Sequence, residues 1–185
     1  MNSKEKNTIS CKMIYIYGSG GRGKLIREIL LRSKQKAHNI MFIDDIKKSF
    51  NNSNFLFKEY DHKTDQIFIG ISDPIIHKKK YQELKKKLKK IDNQPLIDPT
   101  AIIKSNVKLN KNIIICENAN IGPNSKIENN VFIGINALIN HDCKIGKFST
   151  IGHGANLAGN VKIKDDCVIG ISSTFKQNIV IEKNV

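Results

Sequence analysis

A large apolar residue stands at every sixth position through the second half of the chain, and this spacing constrains the fold more than any other feature. The positions, without a miss, are Ile97, Ile103, Leu109, Ile115, Ile121, Ile127, Ile133, Ile139, Ile145, Ile151, Leu157, Ile163, Ile169, Phe175 and Ile181. A small or β-branched residue follows four positions after most of them, as at Ala119 and Ala137. A period of six fits neither a helix nor simple alternation. It predicts a hexapeptide parallel β-helix over residues 97–185, in which short strands stack and the aliphatic side chains point inward.

The first 96 residues begin with the pattern of a phosphate-binding turn. An apolar strand at 13–17 leads into Gly18-Ser-Gly-Gly-Arg-Gly23, and residues 24–31 have helical apolar spacing. The glycines Gly18, Gly20 and Gly23 satisfy G-x-G-x-x-G, which lets backbone N–H groups at a helix N-terminus approach an anion. A strand, a glycine turn and a helix in this order predict a Rossmann-like nucleotide-binding domain over residues 1–96.

Two further strands end in residues that suit a nucleotide. A strand at 40–43 is followed by Asp44 and Asp45, about 20 residues beyond the loop, where a carboxylate can accept hydrogen bonds from ribose hydroxyls. A third strand at 66–70 ends at Gly70. Because the carboxyl ends of parallel strands lie at one edge of a sheet, these residues are expected to meet the glycine loop there. Fewer than 100 residues precede the solenoid, which leaves too little chain for the second half of an NAD site.

The formal net charge of +14 is concentrated in the first half of the chain, and its densest part is the stretch 77–91. Helical spacing there places Tyr81, Leu84, Leu88 and Ile91 on one face and lysines on the other. Such a face could bind nucleic acid or an anionic membrane. A solvated helix is the preferred interpretation, since no aromatic or arginine residue is interleaved to contact bases, so no nucleic-acid partner is expected.

No apolar run approaches the roughly 18 residues of a membrane span, and the N-terminal residues lack the pattern of a signal peptide. The sequence therefore predicts a cytoplasmic protein without stable membrane insertion. The four cysteines, Cys11, Cys116, Cys143 and Cys167, form no CxxC pair and have no metal-ligand spacing, so no metal is expected. Cys143 and Cys167 occupy small inward positions of their hexads and are interpreted as core thiols.

Candidate chemistry in the solenoid lies at outward positions. His141 follows Ile139 by two residues and precedes Asp142, so an imidazole able to accept a proton stands beside a carboxylate able to orient it. A solvated surface pair is the alternative. His153 occupies the same hexad position two hexads later, where a second site residue or, more simply, a residue that caps a turn is expected.

The chain resembles the hexapeptide-repeat acetyltransferases that act on nucleotide-linked amino sugars. The residues that carry this resemblance are Ile14-Tyr-Ile-Tyr-Gly18, Phe42-Ile-Asp-Asp45, Asn140-His-Asp-Cys-Lys-Ile-Gly146 and Ala158-Gly-Asn-Val-Lys-Ile163. The match is closest to the UDP-4-amino-sugar N-acetyltransferases of the bacillosamine pathway, with perosamine N-acetyltransferases and sialic acid O-acetyltransferases as relatives. It implies a left-handed, triangular β-helix with 18 residues per coil, so that 97–185 supplies about five coils.

The resemblance also implies the reaction and its residues. The expected activity is acetyl-CoA-dependent N-acetylation of a nucleotide-linked 4-amino sugar, with UDP the favoured nucleotide, by a homotrimer whose cofactor site lies between neighbouring solenoids. His141 is expected to be the general base and Asp142 to tune it. The nucleotide sugar is expected to contact Gly20, Gly21, Arg22, Asp44, Asp45 and Gly70. Acetyl-CoA is expected to run along Thr150, Gly159 and Ile171, and Gly159 falls one coil after His141 in the same column.

Three departures from the family pattern are visible. Arg22 and Thr150 stand where the family usually has histidines, and the chain stops at Val185 where relatives continue through a further coil and tail. The last coil and tail are therefore expected to be missing. The alternatives left open are O-acetylation of a sialic acid-like sugar, transfer of a different acyl group, and a non-catalytic trimeric scaffold that binds a nucleotide sugar.

Overall fold

The computed structural model describes residues 13–88 and 91–185. The first part forms an α/β domain around a three-stranded parallel sheet with the strand order β2-β1-β3. Its elements are β1 (Ile14–Tyr17), α1 (Gly21–Arg32), a 3₁₀ turn (Ala37–Asn39), β2 (Ile40–Ile43), α2 (Ser53–Glu59), β3 (Gln66–Ile69) and α3 (Pro74–Lys87). The register pairs Tyr17 with both Ile43 and Ile69, so the three strands end level with one another.

Helices cover both faces of this sheet because its strands are apolar on both sides. Ile14 and Ile16 of β1 pack with residues of α1, whereas Tyr15 and Tyr17 pack with residues of α2 and α3. Continuous apolar strands of this kind are typical of parallel sheets buried between helical layers. The α/β domain predicted from the sequence is confirmed.

The second part is a three-sided parallel β-helix of fifteen two-residue strands. These are β4 (Leu96–Ile97), β5 (Ile102–Ile103), β6 (Lys108–Leu109), β7 (Ile114–Ile115), β8 (Asn120–Ile121), β9 (Lys126–Ile127), β10 (Phe132–Ile133), β11 (Leu138–Ile139), β12 (Lys144–Ile145), β13 (Thr150–Ile151), β14 (Asn156–Leu157), β15 (Lys162–Ile163), β16 (Val168–Ile169), β17 (Thr174–Phe175) and β18 (Val180–Ile181). Every third strand joins the same five-stranded sheet, so each coil has 18 residues and Ile133 pairs with Ile115 and Ile151. The predicted five coils and the inward aliphatic positions are both confirmed, since this column and its neighbours form one buried core.

The corners of the solenoid explain a second six-residue pattern in the sequence. Three positions after each inward aliphatic residue, from position 106 onwards, the backbone has a positive φ near 60°. Asparagine and aspartate tolerate this left-handed conformation better than other residues with a side chain. They occupy most of these corners, namely Asn106, Asn112, Asn118, Asn124, Asn130, Asn136, Asp142, Asn160, Asp166, Asn178 and Asn184, while Phe148, Gly154 and Ser172 occupy the others.

The two parts share an apolar interface. Ile26 and Leu30 of α1 belong to the same buried cluster as Ile114 and Phe132, which lie on the solenoid sheet formed by β4, β7, β10, β13 and β16. Cys116 is buried in this cluster, and desolvation raises the pKa of its thiol to about 12. The first domain is therefore held against one face of the solenoid by a continuous core.

The lysine-rich helix differs from its prediction. It ends at Lys87, so Leu88 and Ile91 do not continue its apolar face, although both are buried in the cluster beneath it. Residues 89–90 lie outside the described part, as does Cys11. Several lysines of α3 form ion pairs, with Lys78 close to Asp166 (2.6 Å) and Lys80 close to Glu83 (2.6 Å).

Cys143 and Cys167 are buried in the solenoid core, as predicted. None of the helices within residues 13–88 and 91–185 is long and apolar enough to cross a membrane.

Candidate active site

The glycines of the first loop have two different roles. A Cβ on Gly23 would lie 2.0 Å from the carbonyl oxygen of Gly18, and a Cβ on Gly70 would lie 2.5 Å from Cα of Gly23. These three glycines allow the ends of β1 and β3 to touch the first turn of α1. By contrast, a Cβ on Gly20 or Gly21 would meet no atom within 4 Å. Gly70 is therefore required by backbone packing, and Gly20 and Gly21 are the glycines with open space above them.

Asp44 holds the glycine loop in place. Its Oδ2 accepts hydrogen bonds from the backbone N–H (3.0 Å) and the hydroxyl (2.6 Å) of Ser19, and its Oδ1 accepts from the N–H groups of Ile46 (3.0 Å) and Lys47 (3.1 Å). Desolvation opposes ionisation of this carboxyl, but these hydrogen bonds outweigh it and lower its pKa to about 2. With four donors already in place, Asp44 shapes the pocket and has little capacity left for ribose hydroxyls.

Asp45 belongs to a polar group at the same sheet edge. Its carboxylate accepts hydrogen bonds from the Tyr17 hydroxyl and the Ser53 N–H (2.7 Å), and Lys80 lies 3.3 Å away. The Lys80 ammonium also lies 4.6 Å from the centre of the Tyr17 ring. Sequence reasoning missed Ser19, Tyr17 and Lys80, because only the fold shows that β1 and α3 bring them to Asp44 and Asp45.

A cavity of about 460 Å³ opens at this edge, which we call the loop pocket. The residues that line it include Gly20, Asp44, Asp45, Gly70 and Lys80. A pocket of this size accommodates a nucleotide-sized ligand. Four of the six residues predicted to bind the nucleotide sugar thus line one pocket, together with the ammonium group of Lys80.

Arg22 is directed elsewhere. Its side chain leaves the loop pocket, stacks 4.1 Å above the ring of Phe132, and donates hydrogen bonds to the carbonyl of Ile71 (3.0 Å) and to Oγ1 of Thr150 (3.2 Å). Only 7% of the residue is exposed, and burial lowers the pKa of the guanidinium to about 10. Among the described residues no carboxylate pairs with it. Arg22 thus connects the first domain to the solenoid.

A second cavity, which we call the interdomain cleft, lies where Arg22 meets the solenoid. Its volume is about 590 Å³, and it is lined by Gly21, Arg22, Leu25, Ser72, Phe132, Thr150, Gly152, His153, Val168, Ile169, Gly170 and Ile171. Ser72 lines the loop pocket as well, so the two cavities are neighbours. The cleft brings together Gly21 and Arg22, predicted for the nucleotide sugar, with Thr150 and Ile171, predicted for the cofactor.

His141 lies at a different corner, after β11, and forms a pair with Asp142. Its Nδ1 is 2.7 Å from Oδ2 of Asp142, and both side chains are about half exposed. The hydrogen bond from His141 is the main cause that lowers the pKa of the Asp142 carboxyl. Asp142 also occupies a left-handed corner with φ 60°, which suits an aspartate irrespective of any chemistry.

Gly159 lies directly beneath the ring of His141. A Cβ at this position would be 2.4 Å from Nε2 and 2.5 Å from Cε1 of that imidazole. The predicted alignment of these two residues in one column is therefore confirmed, but the space that the glycine leaves is occupied by the imidazole itself. The described residues that line the loop pocket and the interdomain cleft do not include His141 or Gly159.

His153 caps the neighbouring coil. Its Nδ1 accepts a hydrogen bond from the backbone N–H of Ile135 (2.8 Å), and its ring meets that of Phe132 edge to face. The capping role weighed for this residue in the sequence is thus present. Within the described part of the chain, no three His, Cys, Asp or Glu side chains converge on a position that could hold a metal ion.

Two family models match the chain. Residues 13–84 match the PglD N-terminal domain, and residues 124–159 match the bacterial transferase hexapeptide of six repeats. The first part of the chain is thus similar to a PglD N-terminal domain and the second to bacterial transferase hexapeptide repeats. These matches confirm the family resemblance found in the sequence. No curated protein gives a significant match.

Several solved structures superpose on most of the chain. WeeI from Acinetobacter baumannii AYE has a TM-score of 0.80 at 24% identity, covering 94% of this chain and 87% of that one. A mutant of perosamine N-acetyltransferase from Caulobacter crescentus, in complex with CoA and GDP-perosamine, has a TM-score of 0.77 at 17% identity, with 91% and 90% covered. The acetyltransferase domain of PglB from Neisseria gonorrhoeae FA1090, in complex with acetyl coenzyme A, has a TM-score of 0.72 at 17% identity, with 91% and 95% covered. At these identities the likeness establishes the shared fold.

Proposed function

We propose that the protein is an acetyl-CoA-dependent N-acetyltransferase that acts in the cytoplasm on a 4-amino sugar linked to a nucleoside diphosphate, with UDP as the nucleotide. The observation that carries the proposal is the His141–Asp142 pair, held over Gly159 at an outward corner of the solenoid. The family matches and the folds of the sugar N-acetyltransferases that bind CoA support the same reaction class.

The geometry of the pair assigns a role to each atom. Asp142 is ionised, so the short contact to Nδ1 is a hydrogen bond that the imidazole donates, and Nε2 carries the free lone pair. Nε2 accepts the proton that the sugar amine loses as its nitrogen attacks the thioester carbonyl carbon. The new N–C bond forms, the C–S bond breaks, and the sulfur takes the proton back from the imidazolium. Asp142 stabilises the positive charge on His141 between these two transfers.

The loop pocket of the first domain supports a nucleotide-linked acceptor. The loop pocket offers the open Gly20 and the N-terminus of α1, where no acidic residue lies in the first turn, so a diphosphate can approach backbone N–H groups. Lys80 places an ammonium group at the same edge, where it also pairs with Asp45 and Glu83. A free sugar would need neither group. The interdomain cleft, with Thr150 and Ile171 on its wall, is the place we assign to part of the acyl donor.

A homotrimer completes the proposal. His141 and the interdomain cleft lie at different corners of one solenoid, the first after β11 and the second beside β13 and β16. A reaction that uses both needs the corner of one chain to face the cleft of a neighbour. The exposure of His141 and Asp142 in a single chain, 46% and 51% of their side chains, is consistent with a site that a second subunit closes.

The test is release of CoA thiol from acetyl-CoA in the presence of UDP- and GDP-linked 4-amino sugars and a free sialic acid. The chain is compared with His141→Asn, which removes Nε2, and with His38→Ala, an exposed histidine of the first domain, as the matched control. We expect release with the UDP-linked amino sugar, loss of at least about 10²-fold in His141→Asn, and no change in His38→Ala. Light scattering measures the trimer in parallel.

Other outcomes identify the alternatives. Release with sialic acid alone would replace the proposal with O-acetylation. Binding of a nucleotide sugar without thiol release from acetyl-CoA would favour the non-catalytic scaffold. Equal activity of His141→Asn and the unaltered chain would remove His141 from the mechanism.

A further inference from the structure

His153 lines the interdomain cleft, and its hydrogen bonding fixes which of its nitrogens can serve a ligand. The backbone N–H of Ile135 can only donate, so Nδ1 of His153, 2.8 Å away, must be unprotonated while this bond is made. The ring proton is then on Nε2. The ring is also held in place by Phe132, whose ring is perpendicular to it at 6.1 Å between centroids. His153 is therefore a fixed hydrogen-bond donor and has no free lone pair with which to act as a base.

Each of the polar side chains that line this cleft within the described part of the chain can donate a hydrogen bond. Arg22 contributes a guanidinium that donates to the carbonyl of Ile71 and to Thr150 and that has no carboxylate partner among the described residues. Thr150 and Ser72 contribute hydroxyls, which can donate or accept. None of the described residues that line the cleft is acidic, whereas its remaining walls are apolar, with Leu25, Phe132 and Ile171 among them. Such a site suits an elongated, largely apolar ligand whose polar groups are carbonyl oxygens. A bare sugar, which presents as many donors as acceptors, fits it less well.

We propose that His153 binds the acyl donor, by donating a hydrogen bond from Nε2 to an amide or thioester carbonyl oxygen of acetyl-CoA in the interdomain cleft. This inference rests on the proposed function, because it takes the acyl donor to be acetyl-CoA. It adds a contact residue that neither the resemblance nor the family matches assigned. It also explains why a histidine stands at this corner. A cap for the Ile135 N–H needs only one acceptor atom, whereas a histidine places a donor at Nε2 as well.

Two substitutions separate the capping role from the binding role. In His153→Asn, the side-chain oxygen lies near the former Nδ1 and can still accept from Ile135, but the donor at the Nε2 position is lost. In His153→Gln, the terminal amide reaches the Nε2 position and keeps a donor there, but the acceptor for Ile135 is lost. Binding of CoA and of acetyl-CoA is measured by calorimetry on the full chain, together with binding of UDP, and thermal unfolding is followed for each variant.

We expect His153→Asn to weaken CoA or acetyl-CoA binding about tenfold, the effect of one lost hydrogen bond, with an unchanged unfolding temperature. His153→Gln is expected to unfold at a lower temperature while its acetyl-CoA affinity stays within about twofold of the unaltered chain. UDP binding, which belongs to the loop pocket, is expected to be the same in all three. Equal acetyl-CoA affinity in His153→Asn and the unaltered chain would reduce His153 to a coil cap. Failure of the unaltered chain to bind either CoA species would instead overturn the proposed function, so the two failures are distinguishable.

Discussion

The imidazole of His141 lies against Gly159, so closely that a Cβ at position 159 would be only 2.4 Å from Nε2 of His141. A glycine one coil below the histidine thus determines how the ring lies on the solenoid wall. Because both the hydrogen bond to Asp142 and the direction of Nε2 depend on this ring position, the glycine is part of the catalytic geometry that we propose.

The first prediction concerns His141 and Gly159. Gly159→Ala must push the exposed imidazole away, and a displacement of the order of 1 Å is enough to lower kcat by about 10²-fold. The fold should survive, because the side chain that has to move is about half exposed. The matched control is Gln177→Ala, an exposed position one coil further along the same column. Thiol release and thermal unfolding are measured on both variants. Full activity in Gly159→Ala would show that the ring position above Gly159 is not the reactive one.

The second prediction separates the two reasons for an aspartate at position 142. Asp142→Asn keeps a residue that suits the left-handed corner, since asparagine occupies most other corners of the solenoid. It removes the charge that stabilises the His141 imidazolium and fixes its tautomer. We expect kcat to fall by about 10²-fold with an unchanged unfolding temperature. If Asp142→Asn reacts as fast as the unaltered chain, the aspartate serves the corner alone.

The sequence predicts the two parts of the molecule to different extents. In the solenoid each residue contacts those 18 positions away. The period of six, together with the three-sided coil that the family resemblance implies, therefore places Ile133 against Ile151 and Gly159 beneath His141. Local periodicity also found α1 and the strands of the first domain, although the lysine helix stops at Lys87 and not beyond Ile91. Leu88 and Ile91 follow the helix and are buried, so in the sequence they have the spacing of a longer apolar helix face.

The candidate site was only partly predictable, because sequence patterns do not show which groups are already occupied. Asp44 was expected to bind ribose but accepts four hydrogen bonds from its own loop. Arg22 was expected to contact the nucleotide sugar, and its side chain reaches Thr150, 128 residues along the chain. Such contacts depend on how the α/β domain docks on the solenoid, and no short-range signal in the sequence specifies that docking.

The third prediction concerns pH. Burial, helped by the positive charge of Arg22, lowers the pKa of His77 to about 4, against an ordinary value near 6.5. The unfolded chain therefore binds the extra proton first as the pH falls, so this contribution to stability is complete above about pH 6.5 and is lost between there and about pH 4. The loss is at most about 3 kcal/mol, since His77 keeps some exposed surface.

Its measurement is the free energy of unfolding by urea between pH 7 and pH 4. His77→Phe should flatten the decline, because its ring can keep the contact with Phe148 without titrating. His38→Ala, at an exposed histidine, should leave the slope as it is. The lowered pKa of Asp44, about 2, acts only in more acidic solution and does not interfere. An identical slope in His77→Phe would mean that other groups carry the acid sensitivity.

The last prediction concerns Phe148, the bulky residue at a left-handed corner (φ 58°). A side chain of this size disfavours that conformation by roughly 1–2 kcal/mol. Its ring nevertheless lies 5.5 Å from the ring of Tyr81 and 6.3 Å from that of His77, both on α3, so it holds the helix against the solenoid. Phe148→Asn relieves the backbone and loses these contacts. Because the lost packing of a large aromatic residue outweighs the relief, we expect a net destabilisation of about 1 kcal/mol and faster hydrogen exchange confined to α3. Ser172→Asn, at an equivalent corner and exposed, tests the backbone effect alone and should be neutral or slightly stabilising. A more stable Phe148→Asn variant with unaltered exchange in α3 would show that the corner, and not the domain contact, dominates.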